Sequence, residues 1–572
     1  MNEHQLTQML RADEEIITKK LDFWAKEAGD RTFFYYGEDD VALTYAEFAR
    51  RTDDIAGNLA AMGIEKGDHV SVFSTNSLLC TLMMFGIWKA GAVYCPINFS
   101  FSGRLLAYQV NDTAPKLVVT APDLLPRVNE IAEELESSPA VAVYQALEGS
   151  HDYVAELPAV HPSLKAVTWS ELTKAASRPD ITVSFDDPAN LVYTSGTTGP
   201  SKGVVQPYRW MAGYTYGMRV LMTSDDVIYN DLPLYHVGGA IANVCRAAWA
   251  GCEVAVWNRF SPNDFWNRIH GRKVTSAILL DVMLPWLTKA EPRDDDRQNT
   301  LNKVHMQPLP LNHAEFAQRF GIDFVHAGFG QTETGMGAFV ILKELEEGQG
   351  TPADQYQGLS HSELEKVAEE SGLLVMAGDK AIKKGLMGYP SPFVEVSVRN
   401  QDDEECRAGE PGQLAYRPRL PGLLLHSYLG KPEKTIEAFK NLWFHTGDAA
   451  VLDEDGMLYF VDRLGDRIRV RGENLSSFQV EDMLLQLSGV KICAVVGIPS
   501  DEGDEDDIAA YIVPSENEVL TEDAIHSYSN DNLPKFMRPR YIRIVDEVPQ
   551  TPTNKIEKYK LRNMILQELG RA

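Results

Sequence analysis

Through the first two-thirds of the chain, short apolar runs alternate with longer helix-like segments. Val70-Ser-Val-Phe73 reads as a strand, Leu78 to Ala90 as a helix, Val93-Tyr-Cys-Pro-Ile97 and Lys116-Leu-Val-Val-Thr120 as further strands. This alternation predicts an α/β fold, a large N-terminal domain of parallel-rich sheets covered by helices. The run Leu191-Val-Tyr-Thr194 leads straight into a glycine-rich segment, and loops beyond the carboxyl ends of parallel strands are where such sheets bind ligands. After Arg463 the pattern becomes a short strand at Arg467-Ile-Arg-Val-Arg471, a helix near Phe478 to Leu487 and a strand at Ile492 to Ile498. That predicts a small mobile C-terminal α/β domain over 463–572, with residues 1–462 forming the larger one. Between them in pattern, 343–384 reads as a surface helical insertion, with Ser360-x-x-Glu363 as a capping box, Leu364 and Val367 on one face and Gly372 as a stop. A lid or an oligomer contact is the alternative for that segment.

At 572 residues the chain exceeds one ordinary core, in keeping with two domains. Its net charge of −28 disfavours nucleic acid and anionic membrane surfaces, so any nucleotide must bind in a locally positive pocket. The six cysteines form no C-x-x-C pair and no cluster with histidine, which argues against a disulfide framework or a zinc site and for a reducing compartment. No signal peptide is evident, and the most apolar stretch, Leu78 to Trp88, ends at Lys89, short of the roughly 20 residues of a membrane span. A cytoplasmic protein without integral membrane association is expected.

The segment Leu191-Val-Tyr-Thr-Ser-Gly-Thr-Thr-Gly-Pro-Ser-Lys-Gly-Val-Val205 gathers hydroxyls and three glycines around Lys202. Glycines allow close backbone approach, and hydroxyls, amides and an ammonium bind phosphate oxygens. It is not a Walker A loop, because Ser201 stands where that motif requires glycine and Gly203 where it requires Ser or Thr. Three other segments taken singly would read blandly. Glu333 would cap a helix after a Gly-rich turn, Asp448 would belong to a turn, and Lys555 would be surface charge. His236 reads equally as a core histidine.

Together, however, these segments resemble the acyl-adenylate-forming superfamily of acyl-CoA ligases, adenylation domains and beetle luciferases. The glycine-rich string is similar to its signature loop. His326-Ala-Gly-Phe-Gly-Gln-Thr-Glu-Thr334 resembles its adenine and magnesium segment, and Trp443-Phe-His-Thr-Gly-Asp448 its ribose segment. Asp462-Arg463 to Asn474 resembles the interdomain hinge and following loop, and Pro552-Thr-Asn-Lys-Ile556 the catalytic-lysine segment. The resemblance runs from roughly Leu43 to Arg562. It implies that Thr194, Ser195, Gly196, Thr197, Thr198 and Lys202 hold phosphates. Within Gly328, Phe329, Gly330, Gln331, Thr332 and Glu333, it implies adenine stacking by Phe329, an α-phosphate contact by Thr332 and Mg2+ coordination by Glu333. Asp448 and Arg463 would contact ribose, Lys555 would act in adenylation, and Gly472 and Glu473 would belong to the loop used with coenzyme A.

Pro233-Leu-Tyr-His236 resembles the family's P-x-x-H block beside the acyl site. Gly238 and Gly239 would leave room for substrate, with Tyr235 and Met336, along with Tyr214 and Met218, as apolar walls. The resemblance implies an AMP-forming acyl-CoA ligase acting on a small-molecule carboxylic acid with ATP, Mg2+ and coenzyme A. A free-standing enzyme loading a carrier protein and a non-catalytic nucleotide-binding regulator are the alternatives, and an oligomer is compatible with either.

Two departures stand out. His305-Met306-Gln307 replaces the Gly-Gly-Ala-like triplet of many relatives, as in the branch containing crotonobetaine/carnitine–CoA ligases, and Phe260-Ser-Pro-Asn-Asp-Phe-Trp266 points the same way. Tyr235-His-Val-Gly-Gly-Ala240 differs from that branch, so its substrate does not transfer. Gly465, at the hinge, has the freedom a large backbone rotation requires.

Overall fold

A computed structural model describes residues 8, 15–194, 201–280, 283–381, 383–463, 467–470, 473–500, 506–516, 518–533, 535–551 and 555–571. Two large sheets dominate. The first has eight strands in the order Ser427–Tyr428, Lys202–Pro207, Pro188–Thr194, Val93–Pro96, His69–Phe73, Leu117–Thr120, Ala140–Val143 and Lys165–Thr168. From Pro188–Thr194 onward its neighbours are parallel, whereas Lys202–Pro207 returns antiparallel on Pro188–Thr194. The strands flanking the glycine-rich segment therefore form an antiparallel hairpin pair whose Thr194–Lys202 end lies at the sheet's carboxyl edge.

The expected helix at 78–90 spans Ser77–Lys89, and all of its residues are buried. Asn76 caps it by accepting from Leu79 N–H at 2.8 Å. Gly86 lets it approach the helix Tyr45–Ala61, since a Cβ there would lie 2.4 Å from Ile55 Cγ2. Lys89 at its end is wholly buried but neutralised by Asp53 at 2.7 Å, as a buried ammonium requires. Among the described residues, no helix is long and apolar enough to cross a membrane.

The second sheet has fourteen strands. Thr32–Tyr36, Glu253–Val256, Val227–Asn230, Ser276–Leu280, Lys303–Gln307 and Phe324–Gln331 run parallel. Beyond Gln331 the pairing turns antiparallel, from Gly335–Lys343 to Leu386–Pro390 and then through Leu458–Arg463, Phe444–Leu452, Gly412–Pro418 and Val394–Arg399. The alternation of strands and helices in the sequence covers only the parallel part. The antiparallel part needs no crossover helices, so it leaves no such pattern.

Within 343–384 the capping box of Ser360 and Glu363 forms, and the helix is His361–Glu370. Gly372 has φ +72°. The helix buries His361, Leu364 and Ala368, with His361 Nε2 2.9 Å from Asp323 Oδ1, and Val375–Ala377 adds a parallel strand to Gly335–Lys343. This segment thus contributes to the main core instead of lying loosely on it.

After Arg463, the hairpin Arg467–Val470 with Glu473–Ser476 and the sheet Val490–Pro499, Asp506–Pro514, Tyr541–Ile544 carry the helices Ser477–Leu485, Glu522–Asn532 and Lys558–Glu568. Alternate residues of Val490–Pro499 feed opposite clusters. Val495 packs with Val480, Leu484 and Ile525, while Ala494 and Val496 pack with Leu561 and Ile565. A salt bridge of 2.6 Å from Lys384 to Asp482 links this region to the larger one.

Candidate functional site

The first cluster of candidate residues lies where the hairpin closes. Thr194 pairs with Lys202 across the two strands. Ser195, Gly196, Thr197 and Thr198 lie outside the described residues. The Lys202 ammonium sits 4.1 Å from the centre of the Tyr428 ring, and Tyr428 donates its hydroxyl hydrogen to Glu333 Oε1 at 3.1 Å. Leu425 N–H holds the Glu333 carbonyl at 2.7 Å. Burial pushes the Glu333 carboxyl's pKa up, while Tyr428, Lys202 and Lys555 pull it down. Burial lowers the Lys202 pKa, and Glu333 opposes this. A carboxylate is therefore held among cations and one hydroxyl, a setting suited to a hard cation that keeps waters and phosphate oxygens as its remaining ligands.

The strand Phe324–Gln331 carries the next group. A Cβ on Gly328 would lie 2.7 Å from Met336 Sδ and 2.9 Å from the Ala338 carbonyl, and one on Gly330 would lie 2.9 Å from the Gly335 carbonyl. Both glycines are thus required by packing against the next strand. Phe329 is only 8% exposed, between Tyr416 and Phe460 at ring distances of 6.5 and 6.4 Å. Thr332 is fixed through its carbonyl, which accepts from Gln206 Nε2 at 2.7 Å. Gln331 Nε2 donates to the Thr446 carbonyl at 3.0 Å and to Asp448 Oδ2 at 2.5 Å. Asp448 follows Gly447, whose φ is +75°, and faces Arg463 across paired strands. The expected ribose carboxylate is thereby tied to the expected adenine segment.

On the acyl side, Pro233-Leu-Tyr-His236 leads into a π-helix, Gly238–Cys245. Gly238 N–H donates to His236 Nδ1 at 3.2 Å, which places the proton of the neutral ring on Nε2. The ring keeps exposed surface although protein atoms crowd around it. Burial, with the Lys555 ammonium, brings its pKa down to about 4, so the imidazole is neutral at pH 7. Tyr235 packs edge-on against Phe99 at 5.2 Å. Gly238 has open surroundings, with its nearest would-be Cβ neighbour at 3.5 Å. Gly239 differs from the expectation of substrate room: a Cβ there would lie 2.5 Å from the Leu232 carbonyl and 2.7 Å from that of Pro233. It serves the close passage of backbone. Met336 is nearly buried against Gly328 and lines a small cavity with Tyr216, Gly217 and Phe339.

Lys555 comes from the C-terminal region. Its N–H donates to Thr551 Oγ1 at 3.1 Å and its carbonyl accepts from Thr551 N–H at 2.8 Å, and its side chain is exposed. Its charge acts on both His236 and Glu333. Glu473 opens the strand Glu473–Ser476, while Gly472 and Gly465 lie outside the described residues. Sequence reasoning missed Tyr428, which is 95 positions from its partner and has no local signal. It also missed Gln206, whose only signal is a polar residue in the apolar stretch Val204-Val-Gln-Pro207.

A family model described as "AMP-binding enzyme" matches residues 21–422, and one described as "AMP-binding enzyme C-terminal domain" matches 479–555. A crotonobetaine/carnitine–CoA ligase of Salmonella arizonae is 27% identical over 91% of this chain and 93% of its own length. A long-chain-fatty-acid–CoA ligase of Mycobacterium tuberculosis is likewise 27% identical, over 91% and 93%. Among solved structures, ATP-bound MatB from Rhodopseudomonas palustris aligns with a TM-score of 0.75 at 21% identity, covering 96% of this chain and 98% of that one, a likeness of fold.

Proposed function

The chain belongs to the AMP-binding enzyme family, and from that membership we infer that it works as an AMP-forming acyl-CoA ligase. A carboxylate is a poor electrophile because its charge repels a thiol and oxide is a very poor leaving group. In the first half-reaction a carboxylate oxygen attacks the α-phosphorus of ATP, the α–β phosphoanhydride bond breaks, and pyrophosphate leaves. In the second the thiol sulfur of coenzyme A attacks the acyl carbonyl, AMP departs, and the thiol proton is lost.

The observation that supports this assignment is that Lys202, Tyr428 and Glu333 meet, and that the charge of Lys555 reaches both Glu333 and His236, residues drawn from distant parts of the chain. Lys202 and the hairpin turn would grip the β- and γ-phosphates. Lys555 would neutralise charge between the α-phosphate and the incoming carboxylate, where preorganised donors contribute most. His236, neutral with its proton on Nε2, would orient the acyl carboxylate by hydrogen bonding without exchanging a proton. Thr332 would contact the α-phosphate, and Asp448 would accept from the ribose hydroxyls. Glu333 would hold Mg2+, which would offset phosphate charge. The thiol step would require the C-terminal region to turn, breaking the Lys384–Asp482 bridge and withdrawing Lys555. Six unpaired cysteines fit a reducing cytoplasm.

The test is a panel of carboxylic acids supplied with ATP, Mg2+ and coenzyme A. Acid-dependent pyrophosphate release and coenzyme A-dependent thioester formation are expected together. A folded enzyme that releases pyrophosphate with no acid in the panel would refute the assignment.

A further inference from the structure

Behind the acyl side lies a polar cluster that this mechanism does not use. Arg246 follows the π-helix and is wholly buried. Its Nη2 donates to Asn243 Oδ1 at 3.1 Å, and Asn243 is fixed by Asn230 at 2.9 Å. Arg246 Nε and Nη1 reach no acceptor among the described residues. His305 and His326 face one another across paired parallel strands, both buried, with His305 Nδ1 and His326 Nε2 also unpartnered among the described residues. Both rings lie against Phe339, at 6.2 and 5.5 Å, and Phe339 packs on Gly217 of the helix Tyr208–Arg219, so the cluster borders the expected acyl wall.

The charges do not balance. Asp226, the carboxylate whose charge reaches Arg246 among the described residues, is already used. Its Oδ1 accepts from Lys303 Nζ at 2.9 Å and Thr275 Oγ1 at 2.6 Å, and its Oδ2 from Thr223 N–H at 2.7 Å. With Lys303 cancelled by Asp226 and both imidazoles held neutral by burial, one positive charge remains on Arg246. A buried guanidinium with two idle N–H groups carries a heavy desolvation cost unless an anion meets it.

We propose that this cluster is the far end of the acyl site and that the acid activated by the enzyme carries a second carboxylate at its distal end, gripped by Arg246 Nε and Nη1 with His305 and His326 alongside. The proposal rests on the ligase assignment and names its substrate class. Arg246 suits a carboxylate because its planar fork binds two oxygens at once. His305 lies 3.1 Å from Gln307 Oε1, and turning that amide places the imidazole proton on Nδ1, where it can donate to an anion. His236 and Arg246 are ten positions apart, at most about 15 Å along a helix, and Arg246 reaches back toward the helix start. The gap suits a chain of several methylenes. A betaine-like acid would set its cation against Arg246, and a plain fatty acid would leave the guanidinium unmet.

The experiment compares α,ω-dicarboxylic acids of medium length with monocarboxylic acids of equal length, using the full chain with ATP, Mg2+ and coenzyme A. The diacids are expected to be preferred in kcat/KM by about 100-fold or more, and Arg246→Gln to collapse that ratio, chiefly through KM. Arg246→Lys, which keeps the charge and loses the fork, should retain part of it and covers the case in which the glutamine variant does not fold. Preference for the monoacids, or a ratio unmoved by both variants, overturns the proposal. Calorimetric binding of the diacid without ATP separates the two levels of inference. Arg246-dependent binding with no turnover would leave this site standing and sink the ligase assignment; turnover of monoacids with no diacid binding would do the reverse.

Discussion

Replacing Lys555 with alanine removes one of the two ammonium groups whose charge reaches Glu333, while Lys202 stays in place over Tyr428. The remaining lysine belongs to the phosphate hairpin, so ATP binding should be largely preserved. The loss should fall on the step in which carboxylate and α-phosphate are brought together. A unit charge about 4 Å from another is worth about 4 kcal/mol at the effective dielectric of a protein surface. Removing one preorganised transition-state donor costs about 10²–10³ in rate. The two figures agree, and a fall of that size in acid-dependent pyrophosphate release is expected. Thioester formation from a synthetic acyl-adenylate plus coenzyme A should survive, because the lysine is withdrawn in that step. The His236 pKa, held down first by burial and then by Lys555, should rise from about 4 in the variant, which a histidine NMR titration would read. Equal loss in both half-reactions of a folded protein, or unchanged pyrophosphate release, would refute the reasoning.

Glu333→Gln removes a metal-binding charge at constant volume, so ATP use should weaken most at limiting Mg2+, with little change in melting temperature; normal turnover under those conditions would count against the metal role. Gly239→Ala places a methyl group against the carbonyls of Leu232 and Pro233 and should destabilise the fold by about 1–3 kcal/mol, seen in a denaturant midpoint. His305, with its folded pKa near 4 against 6.5 in the unfolded chain, stays neutral while the unfolded chain takes up a proton. Its contribution is therefore complete above pH 6.5 and is lost as pH falls toward 4, up to about 3 kcal/mol. His305→Gln should flatten that part of the stability profile, and an unaltered slope would contradict the assignment.

Much of the architecture was legible because parallel strands and their crossover helices impose periods on the chain. The runs at Val70, Val93, Lys116 and Leu191 fall in strands, and the apolar segment after Asn76 is a helix buried on every side. The hydroxyl-rich turn could be read as a phosphate site because glycines, hydroxyls and a lysine stand within one short segment. The antiparallel strands after Gln331 carried no comparable pattern, and neither did the docking of 343–384 on the core, because pairing partners in such regions are set by distant registers.

Local composition fixed which residue types were available: the glycine-rich turn with Lys202, the Gly-Phe-Gly-Gln-Thr-Glu segment, the Thr-Gly-Asp turn. Only the tertiary structure decided what each one does to its neighbours. It put Tyr428 between Lys202 and Glu333, gave Gly239 a steric task in place of a substrate task, and set Arg246 near two neutral imidazoles with no carboxylate to spare among the described residues. The physical reason is that strand and helix periods act over a few residues. Desolvation and Coulomb terms depend instead on distance in space, and the groups that set them here are separated by tens to hundreds of positions along the chain.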